Sequence, residues 1–434
     1  MTKRGILIKK FGNPLFLIVG FAAAVMFYMI FHALGDSGDN WDADIFLAHD
    51  KGNIPSFQFY FEQQGQKARQ DTGFGFTPVS SQTTDLYINR MKASLPTENA
   101  PGLFTWWSTR RVEELVERGL VSDLTHLWEK HDSHYPREIR DAYTIGGKVY
   151  GFPYSVEYWP IWYNKKIFDR LGIREPETWD DFIEICDVLK TASIDPILTS
   201  LQYDWYALMW FAQLIIGEDP DFYRRLCSGE ASHADPVVEE ALRVYADMIR
   251  QGYFSSPSAN MFTNAGYLWN NERFGMVLAG SWYYSTVLVD QNVDEETIGV
   301  FILPARNPSG GKHIMMESGP IFTAKHSRNR EQAEIVADWW MGPEGNSHFS
   351  QLFGSFSANK SVDSSYLAPE RQKLLSLIKK ENCGIVNRYW EAAPIPVVNA
   401  AMEALSHFMV NPDTMENVIT ALVDAEEAQD MAVQ

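Results

Sequence analysis

The chain has 434 residues, 45% of them hydrophobic and 21% charged, enough to build two packed lobes or one large α/β unit. Its 37 Lys and Arg stand against 56 Asp and Glu, a net charge of −19, which excludes nucleic acid as a partner because phosphates demand a basic surface. Three cysteines, Cys186, Cys227 and Cys383, are too few for a disulfide framework; three free thiols are expected, with a Cys227–Cys383 bridge as the alternative.

Basic Lys3, Arg4, Lys9 and Lys10 precede an uncharged apolar run over 14–34, and Asp36, Asp39, Asp42 and Asp44 follow it. Twenty-one residues are long enough to cross a bilayer as a helix, and the charge order places the rest of the chain outside the cytoplasm. Residues 1–35 are therefore a cleaved signal peptide or a retained anchor, with the folded part starting near Trp41.

The pattern beyond it alternates. A strand over 44–49 is followed by a helix over 57–71, a strand over 74–79, a helix over 85–94, a strand over 103–106 and a helix over 110–118. This order predicts a parallel α/β sheet. Ligands of such sheets lie beyond the strand C-termini, where Asp50, Lys51, Trp106 and Trp107 follow. Residues 146–163 have strand character. Thr178, with Asp181 three residues on, predicts the N-cap of a helix over 179–190 whose Phe182, Ile185, Cys186 and Leu189 share one face. Further helices are expected over 203–216, 236–250, 329–341, 369–380 and most of 396–428, and strands over 271–278, 300–303 and 319–324.

Aromatic rings occur in pairs beside Gly, Ser, Asn and Pro: Trp106-Trp107, Tyr158-Trp159, Trp205-Tyr206, Trp282-Tyr283-Tyr284 and Tyr389-Trp390. Rings normally fill cores. In loop-like places they also suit stacking on the C–H face of a sugar. His131-Asp132-Ser133-His134 lies in a polar stretch and reads as a solvated loop, so no metal site is expected. No cofactor is expected either. The nearest approach to a phosphate-binding loop, Gly310-Gly311-Lys312-His313, lacks the leading Gly and the hydroxyl, and no hydrolase motif is present. A binding protein is expected, not an enzyme.

Residues 147–190 contain a G-K-x-Y-G-x-P hairpin, a Y-N-K strand end and P-x-T-W-D-D-F opening a helix; FGMVLAGSW follows at 274–282. This ordered set resembles the carbohydrate class of bacterial extracellular solute-binding proteins that serve ABC sugar importers, the maltose/maltodextrin binders among them. The resemblance implies a periplasmic-binding-protein-like α/β fold: two α/β lobes joined by a three-crossing hinge, with the ligand cleft between them. The crossings are expected near Val156, Ser318 and Phe356, giving a first lobe of 41–156 plus 318–356 and a second of 157–317 plus 357–434. It implies ligand contacts from Asp50, Lys51, Trp107, Arg111, Glu157, Tyr203, Trp205, Tyr206, Trp282 and Trp390. Tyr154, Asp204 and Glu317 stand behind these as second choices. Arg110 and Tyr203 replace acids of the maltose binders, so maltose itself is not expected; the ligand implied is another sugar, an oligosaccharide by the resemblance. The partners implied are that sugar, ABC permease subunits in the membrane, and the membrane itself through 14–34 if this segment is retained. The alternatives are a non-sugar solute (polyamine, iron or a polyol phosphate) and a membrane-tethered sugar sensor.

Overall fold

The computed structural model describes residues 45–52, 55–201 and 205–433. The apolar run at 14–34, Tyr203 and Asp204 lie outside the described residues. Twelve strands are described: β1 (Ile45–His49), β2 (Phe76–Ser80), β3 (Leu103–Thr105), β4 (Thr144–Ile145), β5 (Lys148–Val149), β6 (Gly151–Tyr158), β7 (Ile161–Asn164), β8 (Asp195–Ile197), β9 (Phe274–Leu278), β10 (Ile298–Phe301), β11 (His313–Thr323) and β12 (Gly384–Asn387).

The expected parallel unit is present. β1 pairs in parallel with β2 on one side and β3 on the other, and the helix Pro55–Thr72 makes the first crossover. These strands belong to a six-stranded sheet in the order β12-β11-β3-β1-β2, with β6 also paired to β11. A four-stranded sheet, β10-β7-β9-β8, forms the second centre. Each sheet has its own core. Phe61, Phe104, Trp128 and Trp340 fill the first. The second is built around the helix Trp205–Glu218, which is apolar all round and therefore packs as an interior helix. The protein is thus a pair of α/β lobes.

Local chemistry explains the element ends. Thr178 Oγ1 accepts from Asp181 N at 3.1 Å while Asp181 Oδ2 accepts from Thr178 N at 2.9 Å, a complete capping box opening the helix Trp179–Thr191. Phe182, Ile185, Cys186 and Leu189 of that helix are all buried. The C-terminal helical stretch is broken into Ile395–Val410 and Met415–Val433, with Asn411 and Pro412 at the break. β11 is longer than the pattern suggests because its N-terminal half pairs with β12, a strand with no alternating signature.

Three chain passages run side by side between the cores. On β6 and β11, Val156 pairs with Ser318, and on its other side Val156 bridges Phe356, its N–H donating to the Phe356 carbonyl at 3.1 Å. Tyr154, Val156, Met316 and Ala358 pack in the first core, and Trp159, Met315 and Phe356 in the second.

Candidate functional site

The β6–β11 register sets Glu157 directly opposite Glu317, so two carboxylates share one face where the chain passes between the lobes. The turn after β9 serves both. Ser281 Oγ donates to Glu157 Oε2, and Trp282 Nε1 donates to Glu317 Oε1 at 2.5 Å. Gly280 permits this fold-back, because a Cβ there would come within 2.2 Å of Trp282 Nε1.

Each carboxylate has its own arginine. Arg371, only 3% exposed, lies 3.4 Å from Glu157 Oε2, and Arg388 lies 2.5 Å from Glu317 Oε2. Arg388 also grips Glu391, with Nε at 3.0 Å from Oε2. Burial pushes the Glu157 carboxyl up to about 7, against the pull of Arg371 and the Ser281 hydroxyl. Burial likewise raises Glu317, opposed mainly by Arg388. Burial lowers the Arg388 guanidinium, but Glu317 and Glu391 more than reverse this and hold it above its usual value.

The first lobe contributes from the ends of its parallel strands. Asp50 and Lys51, just after β1, form an ion pair at 3.2 Å, and Thr105 Oγ1 donates to Asp50 Oδ1 at 3.4 Å. After β3, Trp106 is buried and its Nε1 donates to the Arg111 carbonyl at 2.9 Å. Trp107 is half-buried and edge-on to Trp106 at 5.0 Å. The helix Arg110–Glu117 then points its first turn at the second lobe. Thr109 Oγ1 donates to the Glu391 carbonyl, Arg110 to the Ser228 carbonyl at 2.8 Å, and Arg111 lies over the Trp390 ring at 4.6 Å. Thr109 sits at φ 53, a strained value for a β-branched residue, costing about 1–3 kcal/mol.

In the second lobe Trp159 stands edge-on to both Trp205 and Trp282, at 6.0 and 6.2 Å, and Phe262 stacks on Trp282 at 6.1 Å and 13°. Tyr206 is a correction to the expected ligand set. It is fully buried in the second core, and its hydroxyl donates to the Leu278 carbonyl, because the interior helix turns this position inward. Trp390 departs in another way: a ring face expected to stack on ligand carries the Arg111 guanidinium. Glu317, a second choice in the sequence, is the centre of the network. Arg388, Arg371 and Glu391 were not singled out by sequence, and Trp159 only as a member of an aromatic pair. The charged and aromatic run Arg388-Tyr389-Trp390-Glu391 was the one local signal for two of them. Four buried polar atoms of these residues have no hydrogen-bond partner within the protein: Arg111 Nη2, Glu157 Oε1, Trp159 Nε1 and Arg371 Nε. Three are donors and one is an acceptor, a set that hydroxyl groups satisfy.

Elsewhere, His131 Nε2 pairs with Asp338 at 2.7 Å and joins no metal cluster among the described residues. Cys186, Cys227 and Cys383 are free thiols. Among the described residues no helix is long and apolar enough to cross a membrane.

Two α/β lobes with three adjacent passages between them are the architecture of a two-lobed solute-binding protein. The chain belongs to the bacterial extracellular solute-binding protein family, whose model matches residues 63–373. It is 24% identical over 331 residues to an uncharacterized ABC transporter extracellular-binding protein of Pyrococcus horikoshii, covering 74% of this chain and 73% of that one. It is 23% identical over 379 residues to a probable sugar-binding periplasmic protein of Mesorhizobium japonicum, covering 83% and 88%. The fold matches the solved bacterial solute receptor AcbH, described as having an exclusive preference for β-D-galactopyranose, with a TM-score of 0.79 and 18% identity over 90% of this chain and 99% of that one.

Proposed function

We propose that this protein captures a neutral sugar outside the cytoplasm by closing its two lobes, and delivers it to the membrane permease of an ABC importer. The observation that carries the reading is the charge balance of the site. Asp50, Glu157, Glu317 and Glu391 stand with Lys51, Arg371, Arg388 and the ring-stacked Arg111, with indoles around them, and burial favours the neutral form of Glu157 and Glu317, so no surplus of acid is left. A polyamine calls for surplus acid and a polyol phosphate for surplus base; a balanced, hydrogen-bonding site suits a ligand that is polar and uncharged. Charge-assisted hydrogen bonds from such groups are the stronger kind. The sugar-binding relative and the galactopyranose receptor support the same class.

Binding follows from placement. Asp50, Lys51, Trp107 and Arg111 come from the first lobe, Trp205 and Trp282 from the second, and Glu157 and Glu317 from the passages between. A ligand touching both lobes favours the closed arrangement; one touching a single lobe shifts nothing. The lobes are read as 41–156 plus 318–356 and 157–317 plus 357–434; the core memberships of Val156 and Trp159 support the first crossing, while Met316 and Ala358, both in the first core, move the other two by a residue or two. Both central carboxylates are clamped by arginines and donors, which suits holding a ligand and not transferring protons to it. Residues 14–34 are read as the export signal or anchor from their uncharged length; the N-terminal sequence of the mature protein tests this.

The test of function is a thermal-shift screen of the full chain against sugars, spermidine, ferric citrate and glycerol phosphate. A ligand at about 100 times its Kd stabilises the fold by about 2.7 kcal/mol. Stabilisation by a sugar and by none of the charged solutes is expected; a shift with spermidine, ferric citrate or glycerol phosphate alone overturns the reading.

A further inference from the structure

The site is closed off at one end by three successive residues. Thr109 reaches the Glu391 carbonyl, Arg110 the Ser228 carbonyl, and Arg111 both the Trp390 ring and, through Nε at 3.4 Å, the Trp390 carbonyl. All three ties cross from the first lobe to the second. Thr109 takes up a left-handed backbone conformation to make its contact, and its own N–H is held by the Ala142 carbonyl at 2.9 Å. On the far side lies a cavity of about 350 Å³, lined among others by Thr109, Arg110, Glu113, Tyr223 and Ala392. Arg111 and Trp390 are not part of that lining. Arg111 lies close enough to Glu391 and Arg388 to feel both charges, so the ties stand as a wall between that network and the cavity.

The supply of stacking faces is also short. Tyr206 is in the core, Trp390 carries Arg111, and Trp282 has one face against Phe262. Trp107, Trp205 and Trp282, each half-buried, are the expected stacking indoles that remain, enough for one or two sugar rings.

We infer that the ligand is a mono- or disaccharide, and that the Thr109-Arg110-Arg111 wall excludes longer chains. The inference rests on the sugar reading above. Arg111 has two parts in it. Its unpartnered Nη2 meets a hydroxyl of the terminal sugar, and its stack on Trp390 blocks the path of the next ring. The cavity beyond is lined by Arg110, Glu113, Glu138, Asp141 and Arg224, charged groups with the room that a further ring needs once the wall is open.

The test is calorimetric titration of the full chain with glucose, galactose and N-acetylglucosamine, and with di-, tri- and tetrasaccharides built from each. Affinity in the best series is expected to peak at one or two rings and to fall at least tenfold on adding the third. Arg111→Ala is expected to weaken the short ligand and to narrow or erase that tenfold gap. Thr109→Gly keeps the left-handed backbone and removes the hydroxyl tie; it is expected to narrow the gap with the short ligand bound nearly as before, so the inference does not depend on Arg111→Ala folding. Equal binding of di-, tri- and tetrasaccharides by the unaltered protein overturns the length limit and leaves the sugar reading standing. An undiminished gap in both variants overturns the role of the wall. Absence of binding by every sugar of every length overturns the sugar reading itself, and the inference with it.

Discussion

Two carboxylate–arginine pairs sit a strand apart and do different work. Glu157–Arg371 is sealed: both side chains are under 10% exposed, Arg371 also donates to the Gly354 carbonyl, and its guanidinium lies over Phe356 at 4.6 Å. Glu317–Arg388 is shared: Arg388 divides itself between Glu317 and Glu391 and lies over Trp159 at 5.4 Å, while Glu317 also takes the Trp282 indole. The first pair fastens helix Pro369–Lys380 to the passage between lobes. The second fastens Trp159, Trp282 and Glu391 together at the candidate site. Identical chemistry becomes framework or site according to how many of its neighbours belong to the cleft.

The sharpest way to break this contrast is Arg371→Ala at pH 8, where Glu157 is ionised. It removes the cation that pulls Glu157 down, so the buried carboxylate must stay unpaired or take up a proton, and a loss of about 3–5 kcal/mol is expected in urea unfolding. The pH dependence of the same pair comes next. Glu157 has a folded-state value near 7 against an ordinary 4.5, so its contribution to stability is full below about 4.5 and is lost as pH rises through 7. The swing is on the order of 3 kcal/mol, and Glu157→Gln is expected to flatten it in melting curves taken from pH 4.5 to 8. The shared pair should respond in binding. Arg388→Lys removes the fork that reaches two carboxylates, and a tenfold or greater loss of sugar affinity, about 1.4 kcal/mol, is expected by calorimetry. A melting temperature lowered as far as by Arg371→Ala, with affinity unchanged, would erase the distinction. The smallest effect is expected of Trp390→Phe, which keeps a ring under Arg111 but weakens the cation–π contact by about 0.5 kcal/mol.

Much of the frame was legible in the chain. The alternation from β1 to β3, the Thr178–Asp181 capping box and the inward face of Trp179–Thr191 are local patterns, and local patterns survive folding. The sequence also marked Glu157 and Trp282, which the structure ties to the Ser281 and Glu317 side chains of one shared network. The centre of that network was not legible. Glu317 gains its importance from a register with Glu157 across 160 positions, and Arg388 from a strand, β12, that carries no alternation. Tyr206 and Trp390 show the reverse failure. Adjacent rings look alike in a sequence, but the inward turn of a buried helix takes one into the core, and a guanidinium covers a face of the other.

The side-by-side passages at Val156, Ser318 and Phe356 bear on how the chain becomes a protein at all. Neither core is made from one continuous stretch. Phe76 stacks on Trp340 at 5.4 Å and Gln64 donates to the Gly345 carbonyl at 2.8 Å, contacts that close loops of more than 260 residues. A chain emerging end-first cannot complete its first core until Trp340 and Gly345 have appeared, so most of its length must stay threadable until late. Contacts of such separation slow folding. The last pieces of the first core, Trp340 and Gly345, therefore set when that core can close, however early the rest of it has been made.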